Sequence, residues 1–400
     1  MQPLAGVRVV ELAVWVAGPS TGGMLADWGA DVVKVEPPTG DPYRHVFAAQ
    51  GLDASLPAAP FAMDNRGKRS VVLDLQVEEG REVFHRLLAD ADIFVTNIRP
   101  AALGRLGLGH AEVLARHRRL VYGLVTGYGL AGPEKERPGY DIGAFWARSG
   151  LAMQSAPRGE APPAPRSALG DHATGLAALG GILAALHHRD ATGEGVLVET
   201  SLQRTGMYCL GVELGVQLVL GRVARAVDRS ESPSPLLNCY RAEDDRWFFL
   251  IGLEADRHFP GVARATERPD LLEDERFASS RDRVRNRREL IAELDGAFAL
   301  QPLDEWARRF DAEGVWWAPA QVAAEVVEDP QAIASGAFVE IEAGETPAVT
   351  AVAPPAQFGG EALGRTAPVP GLGQHTDEVL GALGYDDEAR TRLRKSGATV

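Results

Sequence analysis

The stretch "LGDHATG", residues 169–175, runs directly into "LAALGGILAALHHRD" and sets an acid, Asp171, at the mouth of a helix rich in small residues. Two kinds of chemistry suit an acid there. As an N-cap, its carboxylate accepts from the free N–H groups of the first turn and stabilises the helix. As a nucleophile, it uses the same N–H groups to remain ionised at neutral pH. Ala173, Thr174 and Gly175 follow it, and side chains this small leave room for a bulky substrate. His187 and His188 fall near the other end of the helix, where an imidazolium suits the dipole and capping is the expected role.

Other chemistries fit less well. The segment "AGPSTGG" (17–23) reads as a turn after a first strand, and Glu36 closes the second strand about 20 residues on, where an acid holds a nucleotide ribose. Yet G-x-G-x-x-G is missing, and Pro19 stands where backbone N–H groups must meet a pyrophosphate, so a dehydrogenase is not expected. No G-x-S-x-G elbow occurs, and the histidines are scattered, which argues against a serine hydrolase. Cys209 and Cys239 lack metal-ligand spacing or a partner histidine, so no zinc site or disulfide framework is expected and a reducing cytoplasm fits.

With 41 Lys+Arg against 55 Asp+Glu the net charge is −14, which repels nucleic acid and anionic membranes. The Arg-rich run "SRDRVRNRREL" (280–290) has interleaved acids and reads as a solvated helix face. "MQPLAGVRVVEL" has no basic region followed by an apolar run, so no signal peptide is expected. "LGVELGVQLVLG" (210–221) is interrupted by Glu213 and Gln217 and falls short of the roughly 18 apolar residues of a membrane span. It reads as a buried or interfacial helix.

Asp171 must be positioned by the elements around it. "GVRVVELA", "ADVVKVE", "SVVLDL" (70–75), "DIFVTN" (92–97) and "LVYGLVTG" (120–127) read as strands, with helical stretches "EEGREVFHRLLADA" and "HAEVLARHR" between them. This alternation predicts an α/β fold with a doubly wound, mostly parallel, Rossmann-like sheet whose sites lie at the carboxyl ends of the strands. "GVLVETSL" adds a strand, followed by one long apolar helix over 201–221. Composition then shifts: "SESPSPLLNCY" is a Pro/Ser linker, "RWFFLIGLE" a strand, and 256–328 a run of charged amphipathic helices, which together predict a smaller α+β domain. Segments 310–320 and 347–358 read as turns and extended chain, and "GQHTDEVLGALG" as a terminal helix in which Thr376 and Asp377 compete for the cap.

Seven blocks in order carry a resemblance: "PLAGVRVVELA..VAGP", "LADWGADVVKVEPP.GDPYR", "NRGKRSVVLDL", "ADIFVTNIRPAALGRLGL", "LVYGLVTGYGLAGP", "GYDIGAFWARSGLA" and "LGDHATGLAALGGILAAL". In these the chain resembles the family III CoA-transferases, the carnitine and bile-acid type, most clearly from residue 3 to about 205, and less so through "RFASSRDRVRNRRELI", "PAQVAAEVVEDPQ" and "GQHTDEVLGALG". The resemblance implies that Asp171 attacks an acyl-CoA thioester, becoming a mixed anhydride and then an aspartyl-CoA thioester. The same family includes α-methylacyl-CoA racemases, which pair this Asp with the His of a "GHD" block. Here the block is "GYD", and Tyr140, with an ordinary pKa near 10, makes a poor general base. Transferase is therefore favoured over racemase, with a CoA-binding protein without turnover as the further alternative, and Tyr140 would bind the incoming carboxylate.

The resemblance also implies CoA contacts. Val16 and Ala17 would line the thioester channel, Leu73 the adenine pocket, and Asn97, Ile98 and Arg105 the nucleotide moiety. CoA carries several negative charges, and Arg69, Arg99, Arg105 and Arg137 lie in or beside the matching blocks as candidate cations. Pro37 stands where many relatives carry an arginine. The Gly-rich loop of the formyl-CoA/oxalate members has no counterpart near "IGLEADRHF". The expected molecule uses CoA as substrate with no tightly bound cofactor, an acyl-CoA donor and a carboxylic acid acceptor. It is an interlaced homodimer with a catalytic domain over 1–200 and 335–400, a linker helix over 201–225 and a small domain over 226–330.

Overall fold

A computed structural model describes residues 1–51, 59–344 and 347–400. The chain forms two compact units, one of residues 1–153, 163–223 and 331–400, the other of 154–162 and 224–330.

The first unit is built on six strands: β1 (Arg8–Leu12), β2 (Asp31–Glu36), β3 (Arg69–Val72), β4 (Ile93–Thr96), β5 (Val121–Thr126) and β6 (Leu197–Ser201). They lie in the order β3-β2-β1-β4-β5-β6 with every pairing parallel. Parallel strands need crossovers that cover both faces, so their sequences read as continuous Val-rich runs. The helices include α1 (Ala17–Asp27), α2 (Ala59–Asn65), α3 (Glu78–Ala89), α4 (Pro100–Arg105), α5 (His110–Arg116) and α6 (Leu169–Thr192), followed by α7 (Leu202–Cys209) and α8 (Gly211–Leu220). One face of the sheet packs Val10, Val33, Val71, Phe94 and Tyr122 with α3 residues Val83 and Phe84. The other packs Val9, Val32, Ile93 and Val95 with Leu25 of α1 and Leu179 and Ile182 of α6. α6 is long and apolar enough by composition to cross a membrane, but it packs on α1, β5 and β6 as a core helix.

Strand β3 is a sheet edge, and chain from the far end of the sequence covers it. Ser70 O accepts from His375 N at 2.9 Å, Val72 N donates to Thr376 Oγ1 at 3.1 Å, Val72 O accepts from Thr399 Oγ1 at 2.6 Å, and Asp74 N donates to Ala398 O at 2.9 Å. A second sheet in this unit joins Phe338–Ile341 antiparallel to Val349–Val352 and parallel to Arg365–Thr366.

Two expectations about local structure are corrected. "AGPSTGG" is the opening of α1 rather than a turn, with Pro19 in the first helical turn, where a missing N–H costs nothing. The single helix expected over 201–221 breaks at Leu210 into α7 and α8, and α8 has no buried residue: Val212, Leu218, Val219 and Leu220 are exposed on this chain.

The second unit has an antiparallel sheet of Cys239–Arg241, Trp247–Leu250 and Trp317–Pro319 covered by helices. Its core is aromatic, with Phe248, Phe298, Trp306 and Phe310 at ring separations of 5.1 to 5.8 Å.

Candidate active site

After β1 the chain crosses the carboxyl end of the sheet before α1 begins, and Asn97, just past β4, clamps that crossing. Its Oδ1 accepts from Val14 N at 3.0 Å and its Nδ2 donates to Val14 O at 2.7 Å. The next residue, Trp15, is held at φ 64°, a left-handed conformation costly for a bulky side chain. Its N–H donates to Asp41 Oδ1 at 3.1 Å, and its ring lies 5.9 Å from Tyr43 and edge-on to Tyr140 at 6.2 Å.

Beneath this loop lies a buried charge network. Lys34 Nζ meets Glu11 Oε1 (3.0 Å), Asp41 Oδ2 (2.9 Å) and Ala13 O (2.9 Å). Lys68 Nζ meets Glu11 Oε2 (2.7 Å), Pro19 O (2.9 Å) and Asn65 Oδ1 (3.0 Å). Burial works against the Lys34 cation, but Glu11, Asp41 and Glu36 outweigh it and raise its pKa; burial wins at Lys68, whose pKa falls to about 8. Such a network adds little net stability, but removing one partner would strand a buried charge, so it fixes the loop and the start of α1 in one arrangement. Glu36, the residue with ribose-binding spacing, is tied to Arg44 Nη2 (2.6 Å) and Ser70 Oγ (2.7 Å).

Asp171 is the third residue of α6 and not its cap. The cap position is Ala168, at φ 60°, with no side-chain hydrogen bond. The helix is seated by glycines. A Cβ on Gly170 would strike the Phe145 ring, and one on Gly175 would strike Ser20 Oγ and lie 3.1 Å from Ala17 O. Thr174 is fully buried and donates to Gly170 O at 2.7 Å. Gly175 therefore lets α6 approach α1 and Thr174 is buried, instead of leaving room for a substrate as their size suggested.

The open space lies on the other side. A cavity of about 410 Å³ is lined by Trp15, Ala17, Asn97, Ile98, Arg99, Lys135, Arg137, Tyr140 and Asp171, with Thr126 and Gly127 from the end of β5. This is the carboxyl end of the sheet, where β1 and β4 lie adjacent although far apart in sequence, the kind of crevice in which open α/β sheets bind ligands.

The carboxylate of Asp171 accepts no hydrogen bond from any described residue, and the expected ionisation by the helix end does not dominate. Burial pushes its pKa up to about 7; Asp141 and Asp64 add repulsion, while His172 pulls the other way. Asp141 opens a π-helical turn over Ile142–Ala147, a form common at functional sites, and its Oδ1 accepts from Ile142 N at 2.7 Å. Asp64, on α2, lies 3.1 Å from His172 Nε2.

Of the residues singled out from sequence, Ala17, Asn97, Ile98, Arg99, Arg137 and Tyr140 are gathered with Asp171 in the cavity. Val16 is buried just before α1. Leu73 is 1% exposed within the core beside Val71 and Leu75, Arg105 is on the exposed last turn of α4, and neither lines the cavity. Arg69 is paired with Asp31 (2.5 Å) and Glu378 (3.1 Å). Arg137 is paired with Glu134 at 3.0 Å on an exposed surface, a contact a phosphate could displace. The cavity adds Trp15 and Lys135, and the surroundings of Asp171 add Asp64, Asp141 and His172. Trp15 had one signal, an aromatic immediately after a strand end; Asp64 had none, because its pairing with His172 spans 108 residues.

A family model described as CoA-transferase family III matches residues 4–376. The chain is 33% identical over 402 residues to the (R)-2-hydroxy-4-methylpentanoate CoA-transferase of Clostridioides difficile, covering 98% of each chain. It is 32% identical over 394 residues to the cinnamoyl-CoA:phenyllactate CoA-transferase of Clostridium sporogenes, covering 98% of this chain and 96% of that one. Among solved structures, a CaiB/BaiF family protein from Brucella suis superposes with a TM-score of 0.84 at 30% identity, over 96% of this chain and 99% of that one.

Proposed function

The chain belongs to CoA-transferase family III, and from that premise we propose that Asp171 is the covalent carrier through which CoA passes from an acyl-CoA donor to a carboxylic acid. The observation that supports it is a carboxylate with no hydrogen bond from any described residue, in a cavity also lined by Arg99, Lys135 and Arg137. In the first step an Asp171 oxygen attacks the donor's thioester carbon, the C–S bond breaks, and an acyl-aspartyl anhydride and CoA thiolate result. The thiolate attacks the Asp171 carbonyl carbon, releasing the donor's carboxylate and leaving an aspartyl-CoA thioester. The acceptor carboxylate then attacks that carbon and expels the thiolate, which attacks the acceptor's acyl carbon in the new anhydride and restores Asp171. Each step exchanges one leaving group for another, so no net proton transfer or oxidant is needed.

The acceptor class follows from charge. With Arg99, Lys135 and Arg137 engaged by the CoA phosphates, the acids beside Asp171 are Asp64 and Asp141 and the nearby walls are aromatic (Trp15, Tyr140), which disfavours a dicarboxylate and suits a monocarboxylate with an apolar or aromatic body. The two relatives above are named for 2-hydroxy monocarboxylates of that kind, and we take this class as acceptor. The subunit arrangement we carry forward is a homodimer, supported by the apolar residues that α8 leaves exposed. Incubation with an acyl-CoA donor and no acceptor should add a CoA-sized mass, labile to hydroxylamine, to the peptide containing Asp171. Deuterium exchange at the α-carbon of a 2-methylacyl-CoA without any adduct would instead indicate a racemase.

A further inference from the structure

We propose that His172 is an imidazolium, held by Asp64 and the strained Ala168 turn, and that it is the positioning residue that draws Asp171 toward its ionised form against the Asp64 and Asp141 charges. The inference rests on Asp171 being the nucleophile, and it adds a role for two residues outside the reacting atoms.

The geometry is specific. His172 Nε2 lies 3.1 Å from Asp64 Oδ1, and the His172 backbone N–H donates to Ala168 O at 3.0 Å. A carboxylate only accepts, so Nε2 carries the proton in this contact, and the adjacent negative charge favours the ring as a cation. Asp64 is well placed to enforce this. It is 3% exposed, its second oxygen has no hydrogen-bond partner, and α2 is pressed against α1 so closely that a Cβ on Gly23 would lie 2.6 Å from Asp64 O. A buried carboxylate favours a cation beside it. Ala168, at φ 60°, brings the chain into α6 so that its carbonyl accepts from the His172 N–H at 3.0 Å.

The titratable groups facing this pair from the packed elements are Asp141 at the π-helical turn, Asp171 itself and the neutral Tyr43 hydroxyl in the turn over Pro42–His45, with Lys68 near Asp64. The acids nearest Asp171 also act on Tyr43: burial raises its hydroxyl to about 12, with Asp64, Asp171, Asp41 and Asp141 adding to the rise. Burial opposes the His172 cation, but Asp64 and Asp171 outweigh it, and its pKa is raised. In turn, His172 is the group that draws the Asp171 pKa down. Because nucleophilic attack requires the carboxylate, the acidic limb of the rate profile reports this balance.

Two measurements test it. In the whole enzyme, NMR titration of the His172 ring should give a pKa above 6.5 in the wild type and a lower one in Asp64→Asn; a ring that titrates at or below 6.5 in the wild type overturns the proposal whatever the activity. In the rate profile, His172→Gln should move the acidic limb of kcat/KM upward by about one pH unit, roughly a ten-fold loss at pH 6 that shrinks toward pH 9. His172→Lys should move the limb back toward its wild-type position. A uniform loss at all pH values, with no movement of the limb, would mean a merely structural role and overturn the proposal. Failure of the nucleophile reading is seen separately, as activity retained in Asp171→Asn or the absence of a hydroxylamine-labile adduct.

Discussion

Replacing Asp171 with Asn should make the protein inactive and, above neutral pH, more stable. A folded-state pKa of about 7 against an unfolded value of 3.8 means the fold prefers the protonated acid. The difference, roughly 3 pH units at about 1.4 kcal/mol each, sets an upper bound of about 4 kcal/mol on the cost of ionising the group in place. Partial exposure and relaxation of the cavity reduce this to ~2 kcal/mol. The sign fixes the pH window. Well below pH 3.8 both states hold the neutral acid and the cost is absent, and at pH 4 it is still a small fraction of its full value. It accumulates as pH rises through the interval to about 7 and is constant beyond. Asn carries no charge and escapes it while fitting the same space. Thermal melts should therefore show the variant nearly equal to wild type at pH 4 and higher by about 4 °C at pH 8, at roughly 2 °C per kcal/mol for a unit of this size. Transfer activity should fall by at least ~10³-fold at every pH. Equal melting temperatures at pH 8, or a gain of the same size at pH 4, would refute the assignment of the cost to the charged carboxylate. Unimpaired transfer would refute the nucleophile.

Arg137→Ala should raise KM for acyl-CoA about ten-fold, as for one charge-assisted contact, with a weaker salt dependence than wild type; Arg105→Ala, outside the cavity, should raise it less. Gly175→Ala should lower stability by about 2 kcal/mol in denaturant melts because its Cβ meets Ser20 Oγ and Ala17 O, and Ser20→Gly should restore part of the loss. Light scattering at micromolar concentration should give a dimer, and Leu218→Glu on the exposed face of α8 should shift it toward monomer; a wild-type monomer would remove the homodimer. Competition among acceptors should favour phenyllactate-like acids over glutarate, and the reverse order would overturn the charge argument for the acceptor class.

The parallel sheet was legible because Val-rich runs such as "RVVEL" and "DVVKVE" alternate with amphipathic helices, and buried parallel strands leave that period in sequence. Asp171 was legible through its block, and Asn97 and Tyr140 through theirs. Two kinds of feature were not. One is the purpose of small residues: Gly175 reads equally as space for a ligand or as space for another helix, and only the position of Ser20, across the α1–α6 contact, decides it. The other is charge at a distance. The helix-end effect on Asp171 was readable locally, but the opposing burial and the Asp64 and Asp141 charges come from α2 and the π-helical turn, which local sequence does not place beside it. Leu210, an ordinary helix former, gave no hint that α7 and α8 part there.

The cover over β3 has a consequence for how the protein is made. Val72 O is paired by Thr399, 327 residues later, and Val72 N by Thr376. At ribosomal speeds of about 5 to 20 residues per second, the edge strand waits roughly 15 to 65 s after its own synthesis before its partner emerges. Through that interval a short edge strand presents unpaired N–H and C=O groups to any neighbouring nascent chain. The protein's hazard is thus one of timing. Conditions that lengthen the interval, such as pauses in translation of the distal segments, should increase aggregated product without altering the stability of the molecules that finish folding.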